Sequence, residues 1–265
     1  MEKCIDDIRA WMFSMKLKLN SDKTEFILIG TRQQLTKINI PHISVGDTEI
    51  RPSSVVRNLG SWFDNTLSME VHVSNICKSS FYYLYNLRRI RKYLSPQSAS
   101  ILVHAFITSR LDYCNSLLYG MPENLVIKLQ RIQNAAARIV SRSSKFDHIT
   151  PVLHNLHWLP VRYRIHYKIL ILTFKALHGS SPAYLNNLIS IKETSNYNLR
   201  SNGDKMILQV PKMKSNTTTG DRSFVSAGPK LWNTLPANIR LCDSFKSYKK
   251  LLKTHLFKIA FRDLA

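Results

Sequence analysis

Lys16-Leu17-Lys18-Leu19-Asn20-Ser21-Asp22-Lys23-Thr24-Glu25, running on into Phe26-Ile27-Leu28-Ile29-Gly30, and the later Val56-Arg57-Asn58-Leu59-Gly60-Ser61-Trp62-Phe63-Asp64 decide how this chain is read. A short polar turn carrying a lysine feeds a run of β-favouring residues, and a second β segment turns at an Asn-Leu-Gly corner. Ser21 and Asp22 are the residue types that bond the local backbone of such a turn. Strands are expected over 24–30, 40–45, 48–51 and 55–63, with Gly46-Asp47 as a tight turn between the middle two. Upstream, Ile5, Ile8, Trp11, Met12, Met15 and Leu19 recur at helical spacing and predict an amphipathic helix over 5–19.

From residue 68 the pattern becomes helical. A first long helix over 69–93 places Val73, Ile76, Cys77, Ser80, Leu84, Leu87 and Leu94 on one face. On the opposite face Lys78, Tyr82, Tyr85, Arg89 and Lys92 fall within about 80° of one another, since each residue turns by about 100°. Ser95 and Pro96 supply an N-cap and a first-turn proline for a second helix over 96–119, apolar almost all round and so expected to lie centrally. Met121-Pro122 opens a third helix to 142, with Leu125, Leu129, Ile132, Ala136 and Ile139 inward. Lys128, Arg131, Arg138 and Arg142 gather on its outer face. Short links between the three predict a bundle.

A loop through Phe146-Asp147-His148 and Trp158-Leu159-Pro160 leads to a helix over 161–178, closed by Gly179, with Arg164, Lys168 and Lys175 on one side. Residues 191–222 are rich in Ser, Thr and Asn and read as a flexible connection. A last helix over 244–260 sets Phe245, Tyr248, Leu252 and Leu256 against Lys246, Lys249, Lys250 and Lys253. The expected fold class is therefore α+β and mainly helical: a small antiparallel β region, a basic three-helix bundle, and a helical C-terminal region. The expected segments are 1–67, 68–145, 146–190, 191–222 and 223–265.

Charge separates these segments. Residues 1–67 hold 9 Lys and Arg against 8 Asp and Glu, whereas residues 68–265 hold 29 against 9, so nearly all of the net +21 lies in the helical body. Cations arranged along helix faces rather than in a tail point to a polyanion partner. The four cysteines (Cys4, Cys77, Cys114, Cys242) form no CxxC pair, as in a reduced intracellular protein. Asp6, Asp7 and Arg9 interrupt any signal-peptide core, and the apolar run near Ile101 is broken by His104, Arg110 and Asp112, so no membrane partner is expected.

Further blocks stand in order along the chain: Ser109-Arg110-Leu111-Asp112-Tyr113-Cys114-Asn115-Ser116-Leu117-Leu118, Leu129-Gln130-Arg131-Ile132-Gln133-Asn134-Ala135-Ala136-Ala137-Arg138, His148-Ile149-Thr150-Pro151 with Leu156-His157-Trp158-Leu159-Pro160, and Leu231-Trp232-Asn233-Thr234-Leu235-Pro236. Together with the turn and the Asn-Leu-Gly corner, they resemble the end of the palm, the thumb and the following region of reverse transcriptases from jockey-like non-LTR retrotransposons (LINE elements). The resemblance covers nearly all of the chain. It implies RNA-directed DNA synthesis by a full-length protein with Mg²⁺, an RNA template and DNA, in the nucleus or a cytoplasmic ribonucleoprotein. The palm and fingers carrying the family's catalytic aspartates would precede this chain.

What the resemblance implies for single residues follows. Lys23 would lie beside the incoming nucleotide, where a lysine can protonate or neutralise a leaving pyrophosphate. Asn58, Leu59 and Gly60 would form a primer-grip-like hairpin. Lys78, Tyr82, Tyr85, Arg89 and Lys92, with Lys128, Arg131, Arg138 and Arg142, would track a template–primer duplex, cations on phosphates and tyrosines on sugars. No aromatic-Ala-Asp-Asp turn is present, and Asp6-Asp7 sits inside a predicted helix. Hence no metal site and no cofactor are expected in this chain, and no catalysis by it alone. Alternatives are a stand-alone, non-catalytic RNA- or DNA-binding fragment and an inert translated relic of a transposable element. His148, His154 and His157 lack any cysteine pair at zinc spacing and are read as structural polar residues. No GxSxG, Walker loop or HExxH supports a hydrolase, nucleotidase or zincin.

Overall fold

The computed structural model describes residues 2–46, 48–192, 206–211 and 218–262. Helices make up 61% of the described residues, and the strands among them form two small antiparallel pairs, so the fold is α+β and mainly helical. The chain divides into two compact units, residues 1–74 and 75–265.

The first unit begins with α1 (Glu2–Ser14). It stops short of the expected residue 19 because Lys16 takes a left-handed conformation (φ 59°), and Leu17 N–H closes onto Met12 O at 2.8 Å. A 3₁₀ turn (Ser21–Lys23) follows. Asn20, rather than Asp22, supplies its cap: Lys23 N–H donates to Asn20 Oδ1 at 3.2 Å. The expected strand over 24–30 is reduced to a single parallel bridge, Phe26 to Pro52, because proline offers no N–H to continue a ladder. Thr31 and Gln34 then form a capping box for α2 (Arg32–Leu35), a helix that periodicity alone did not suggest.

β1 (Ile43–Val45) pairs with β2 (Thr48–Ile50), and β3 (Val55–Asn58) with β4 (Ser61–Asp64). The β segment expected over 55–63 turns at the expected Asn-Leu-Gly corner and is a hairpin. Leu59 (φ 46°) and Gly60 (φ 85°) both lie at positive φ, the geometry of a two-residue reversal. Phe26, Ile43 and Val45 form the core of this unit, with Ile5, Leu19, Leu28 and Ile50 packed on it. α1 itself buries no residue, and Trp11 (61% exposed) and Phe13 (80% exposed) face outward.

Asp64 locks the end of β4 onto the start of α3 (Glu70–Ile90). Its carboxylate accepts from the N–H groups of Thr66, Ser68 and Met69 and from both hydroxyls, at 2.8–3.2 Å. Burial raises its pKa, but these bonds outweigh that and hold it below the ordinary carboxylate value.

In the second unit α3 continues with Ile76, Ser80, Leu84 and Leu87 buried as expected, and ends in a 3₁₀ turn, Arg91–Tyr93. Ser95 caps α4 (Pro96–Val103) through a bond from Ser98 N–H, with Pro96 in the first turn. The expected helix over 96–119 is not continuous. A π-helical turn (His104–Thr108) leads to α5 (Ser109–Asp112), Cys114 turns left-handed (φ 51°), and Asn115–Leu118 forms a 3₁₀ turn. Nor is it central on every side. Ala99, Val103, Ile107, Leu111 and Leu118 are buried, while Ile101 is 67% exposed.

α6 (Glu123–Ser141) buries all five expected positions and ends on a left-handed Arg142. α7 (Ile149–Asn155) occupies part of the expected loop. α8 (Val161–Leu177) ends with Gly179 at φ 61°, and packs against α6, α11 (Phe224–Asn233) and α13 (Phe245–Ala260). Short helices α9 (Ala183–Asn186), α10 (Thr218–Asp221) and α12 (Ala237–Arg240) complete it. Of the expected flexible connection 191–222, residues 193–205 and 212–217 lie outside the described residues. The piece 206–211 is anchored: Leu208 is 1% exposed, and its N–H and C=O are both met by the Asn233 amide at 2.9 Å. Trp232 donates to Met206 O at 2.8 Å, and Tyr248 to Leu170 O at 3.2 Å. These aromatics, with Phe174, Leu235, Ile239, Leu252 and Leu256, build the main core.

Candidate nucleic-acid interface

Two helices carry the basic rows. On α3, Lys78, Tyr82, Tyr85 and Arg89 are exposed, and Lys92 is exposed on the following turn. Arg89 lies 5.8 Å from the Tyr85 ring centroid, and Lys92 4.8 Å from that of Tyr93, which is 77% exposed. Cation and ring thus present together, a surface suited to phosphate and sugar. On α6, Lys128 and Arg131 are exposed, as is Arg142 at the C-cap. Arg138 is not free for phosphate. It is partly buried, and its guanidinium donates to Ser144 O and Asp147 O at 3.1 Å, pinning the loop after α6.

What joins the ends of the two helices is Arg91, which in the sequence reads as one more surface cation. Arg91 is 8% exposed and donates from Nε to Ile139 O at 2.6 Å, from Nη2 to Val140 O at 3.0 Å, and from Nη1 to Leu94 O at 2.7 Å. The last carbonyls of a helix are orphaned and carry its negative dipole end, so a guanidinium there is doubly favoured. Near the other end, the half-buried Cys77 lies close enough to Lys128 for its charge to act on the thiol; burial raises the thiol pKa and Lys128 opposes it. Arg91 thus joins the C-terminal end of α6 to the turn after α3, while Lys128 acts electrostatically on Cys77 nearer the helix starts, so the two helices run in the same direction. The π-turn adds a third tie: Phe106 stacks on Tyr83 at 4.9 Å, and the Arg110 guanidinium sits 4.4 Å from the same ring.

The other candidate residues lie in the first unit. Lys23 is exposed on its 3₁₀ turn, and Asn58, Leu59 and Gly60 are exposed at the hairpin tip. Arg57 N–H donates to Glu25 Oε2 at 3.3 Å, which ties the hairpin to the segment just after Lys23. Asp6 and Asp7 are exposed on α1, where Asp6 faces Arg9 at 3.5 Å. His154 and His157 pack against the Phe257 ring at 5.1 and 5.8 Å. Among the described residues no group of three or more His, Cys, Asp or Glu could hold a metal ion, and no helix is long and apolar enough to cross a membrane.

Several blocks singled out in the sequence serve the fold. Gln130 Oε1 accepts Val161 N–H at 2.9 Å at the start of α8, and Gln133 donates to Leu159 O at 2.8 Å. Arg164 joins Asp112 at 2.7 Å and Leu159 O at 2.9 Å. No family model, no curated protein and no solved structure matches this chain.

Proposed function

We propose that this chain is the C-terminal part of a jockey-like non-LTR retrotransposon reverse transcriptase, comprising the end of the palm, the thumb and the region beyond it. In this reading α3 and α6 grip the template–primer duplex, and the chain does not polymerise alone. The observation that supports it is the exposed row Lys78, Tyr82, Tyr85, Arg89 and Lys92, together with exposed Lys128 and Arg131 on α6, the helix whose C-terminal end Arg91 caps. Cations along two neighbouring helices suit a double helix, whose phosphates supply affinity and position rather than sequence choice. The outward-facing Trp11 and Phe13 fit a surface that packs against a preceding palm segment. Lys23 and the Asn58-Leu59-Gly60 tip would then border the primer end.

The test is binding of an RNA–DNA hybrid by wild type, by Arg89→Glu/Lys92→Glu on α3 and by Lys246→Glu/Lys250→Glu on α13. The reading expects loss only in the α3 variant. Equal losses in both would reduce binding to net charge and contradict a thumb-like grip. Primer extension by the isolated chain with Mg²⁺, abolished by Lys23→Ala, would contradict the non-catalytic assignment.

A further inference from the structure

The loops that follow the two basic helices each hold an aromatic ring out to solvent. Tyr93, in the turn after α3, is 77% exposed, and Phe146, in the loop after α6, is 83% exposed. A lysine stands by each ring: Lys92 Nζ lies 4.8 Å from the Tyr93 centroid, and Lys145 Nζ 4.8 Å from that of Phe146. Both loops leave the same end of the helix pair. Arg91 donates to Leu94 O, beside Tyr93, and also to Ile139 O and Val140 O at the end of α6.

The Phe146 loop is held in place. Arg142 reverses the chain at φ 58°, and Arg138 donates to Ser144 O and Asp147 O at 3.1 Å. The Asp147 carboxylate accepts Ser144 N–H at 2.7 Å, and Phe146 N–H donates to Ser144 Oγ at 3.3 Å. A phenylalanine free to move would fold onto apolar surface, because burial favours it. Here the fixed backbone keeps the ring outward, which removes part of the ordering cost of binding.

The chemistry narrows the partner. Lys92, Arg142 and Lys145 are exposed around the rings, and the single carboxylate in the loop after α6, Asp147, is engaged by Ser144. Rings among cations suit flat bases joined by phosphates: bases stack on aromatic faces whatever their identity, while the cations meet the backbone. An acidic peptide would answer the cations and leave the rings unused. Within a duplex the base faces are covered by their neighbours, so an unpaired strand is the partner that offers them. We propose that Tyr93 and Phe146 form a stacking site for unpaired bases of a single-stranded nucleic acid, with Lys92, Arg142 and Lys145 along its backbone. The site goes beyond the duplex grip and does not depend on it, since neither ring belongs to the gripping rows.

Fluorescence anisotropy of the full chain with labelled oligodeoxythymidylate, and with an abasic oligomer of the same length and charge, tests it. Wild type should bind the abasic oligomer at least tenfold more weakly. Tyr93→Ala/Phe146→Ala should weaken oligodeoxythymidylate binding at least tenfold, since each stacked base contributes about fivefold or more. The same variant should bind the abasic oligomer as wild type does, with an unchanged salt slope, because no phosphate contact is lost. Its melting temperature should also be unchanged, both side chains being exposed. Tyr93→Trp/Phe146→Trp should keep or raise affinity for the base-bearing strand. RNA–DNA hybrid binding should be the same in the alanine variant and wild type, which separates this site from the duplex grip. Equal wild-type affinity for the two oligomers, full affinity in the alanine variant, or an equal loss on both oligomers would each overturn the assignment.

Discussion

The Arg91 side chain, 48 residues away in sequence, donates to Ile139 O at 2.6 Å and so caps one basic helix with the end of the other. Because Arg91 also holds Val140 O and Leu94 O, its removal leaves carbonyls without partners. Arg91→Met should cost about 2–4 kcal/mol, read from urea unfolding. Arg91→Lys should recover only part, since an ammonium cannot fork to two carbonyls. Full recovery by lysine would show that charge alone matters.

Gly228 lets α11 approach α8: a Cβ built there would meet Thr173 Oγ1 at 2.9 Å. Alanine favours a helix over glycine by about 1 kcal/mol, so the sign of Gly228→Ala depends on the contact. Overpacking against the buried Thr173 should win and destabilise by about 1–3 kcal/mol. Adding Thr173→Ala should restore much of the loss; no coupling between the two would refute the close approach.

Acid should destabilise the second unit in a defined window. Burial, helped by Arg162, pushes His166 down from 6.5 to about 4. A depressed histidine favours the folded state above its unfolded pKa, and that stability is lost as pH falls toward the folded value. The window is therefore pH 6.5 to about 4, and the linked loss is on the order of 3 kcal/mol. His166→Gln should flatten the profile there; an unchanged profile would contradict a buried neutral imidazole.

Asp64 acts lower on the scale. Its pKa is depressed, so its contribution is present above about pH 4 and lost as pH falls further. Asp64→Ala should cost about 2 kcal/mol at neutral pH and much less near pH 2, measured by denaturant melts at both.

The long helices were legible because burial imposes its period on sequence: every inward position expected on α6 is buried, as are Tyr248, Leu252 and Leu256 of α13. The exposure of Lys78, Tyr82, Tyr85 and Arg89 followed from the same period. Breaks were harder to see. Lys16, Leu59 and Cys114 take positive φ without being glycine, so composition does not mark them. Arg91 reads as one more surface cation; only the fold brings the Ile139 and Val140 carbonyls to it. Arg138 failed as a free cation for the converse reason, since the loop at Ser144 and Asp147 folds back over it.

The central claim is that α3 and α6 grip a duplex through phosphate contacts. Its most direct test is the salt dependence of hybrid binding by wild type and by Arg89→Glu/Lys92→Glu. The slope of log affinity against log salt should fall by roughly 0.7–0.9 per lost contact, with sequence preference unchanged. Unchanged affinity and slope in a variant with a wild-type melting temperature would contradict the account.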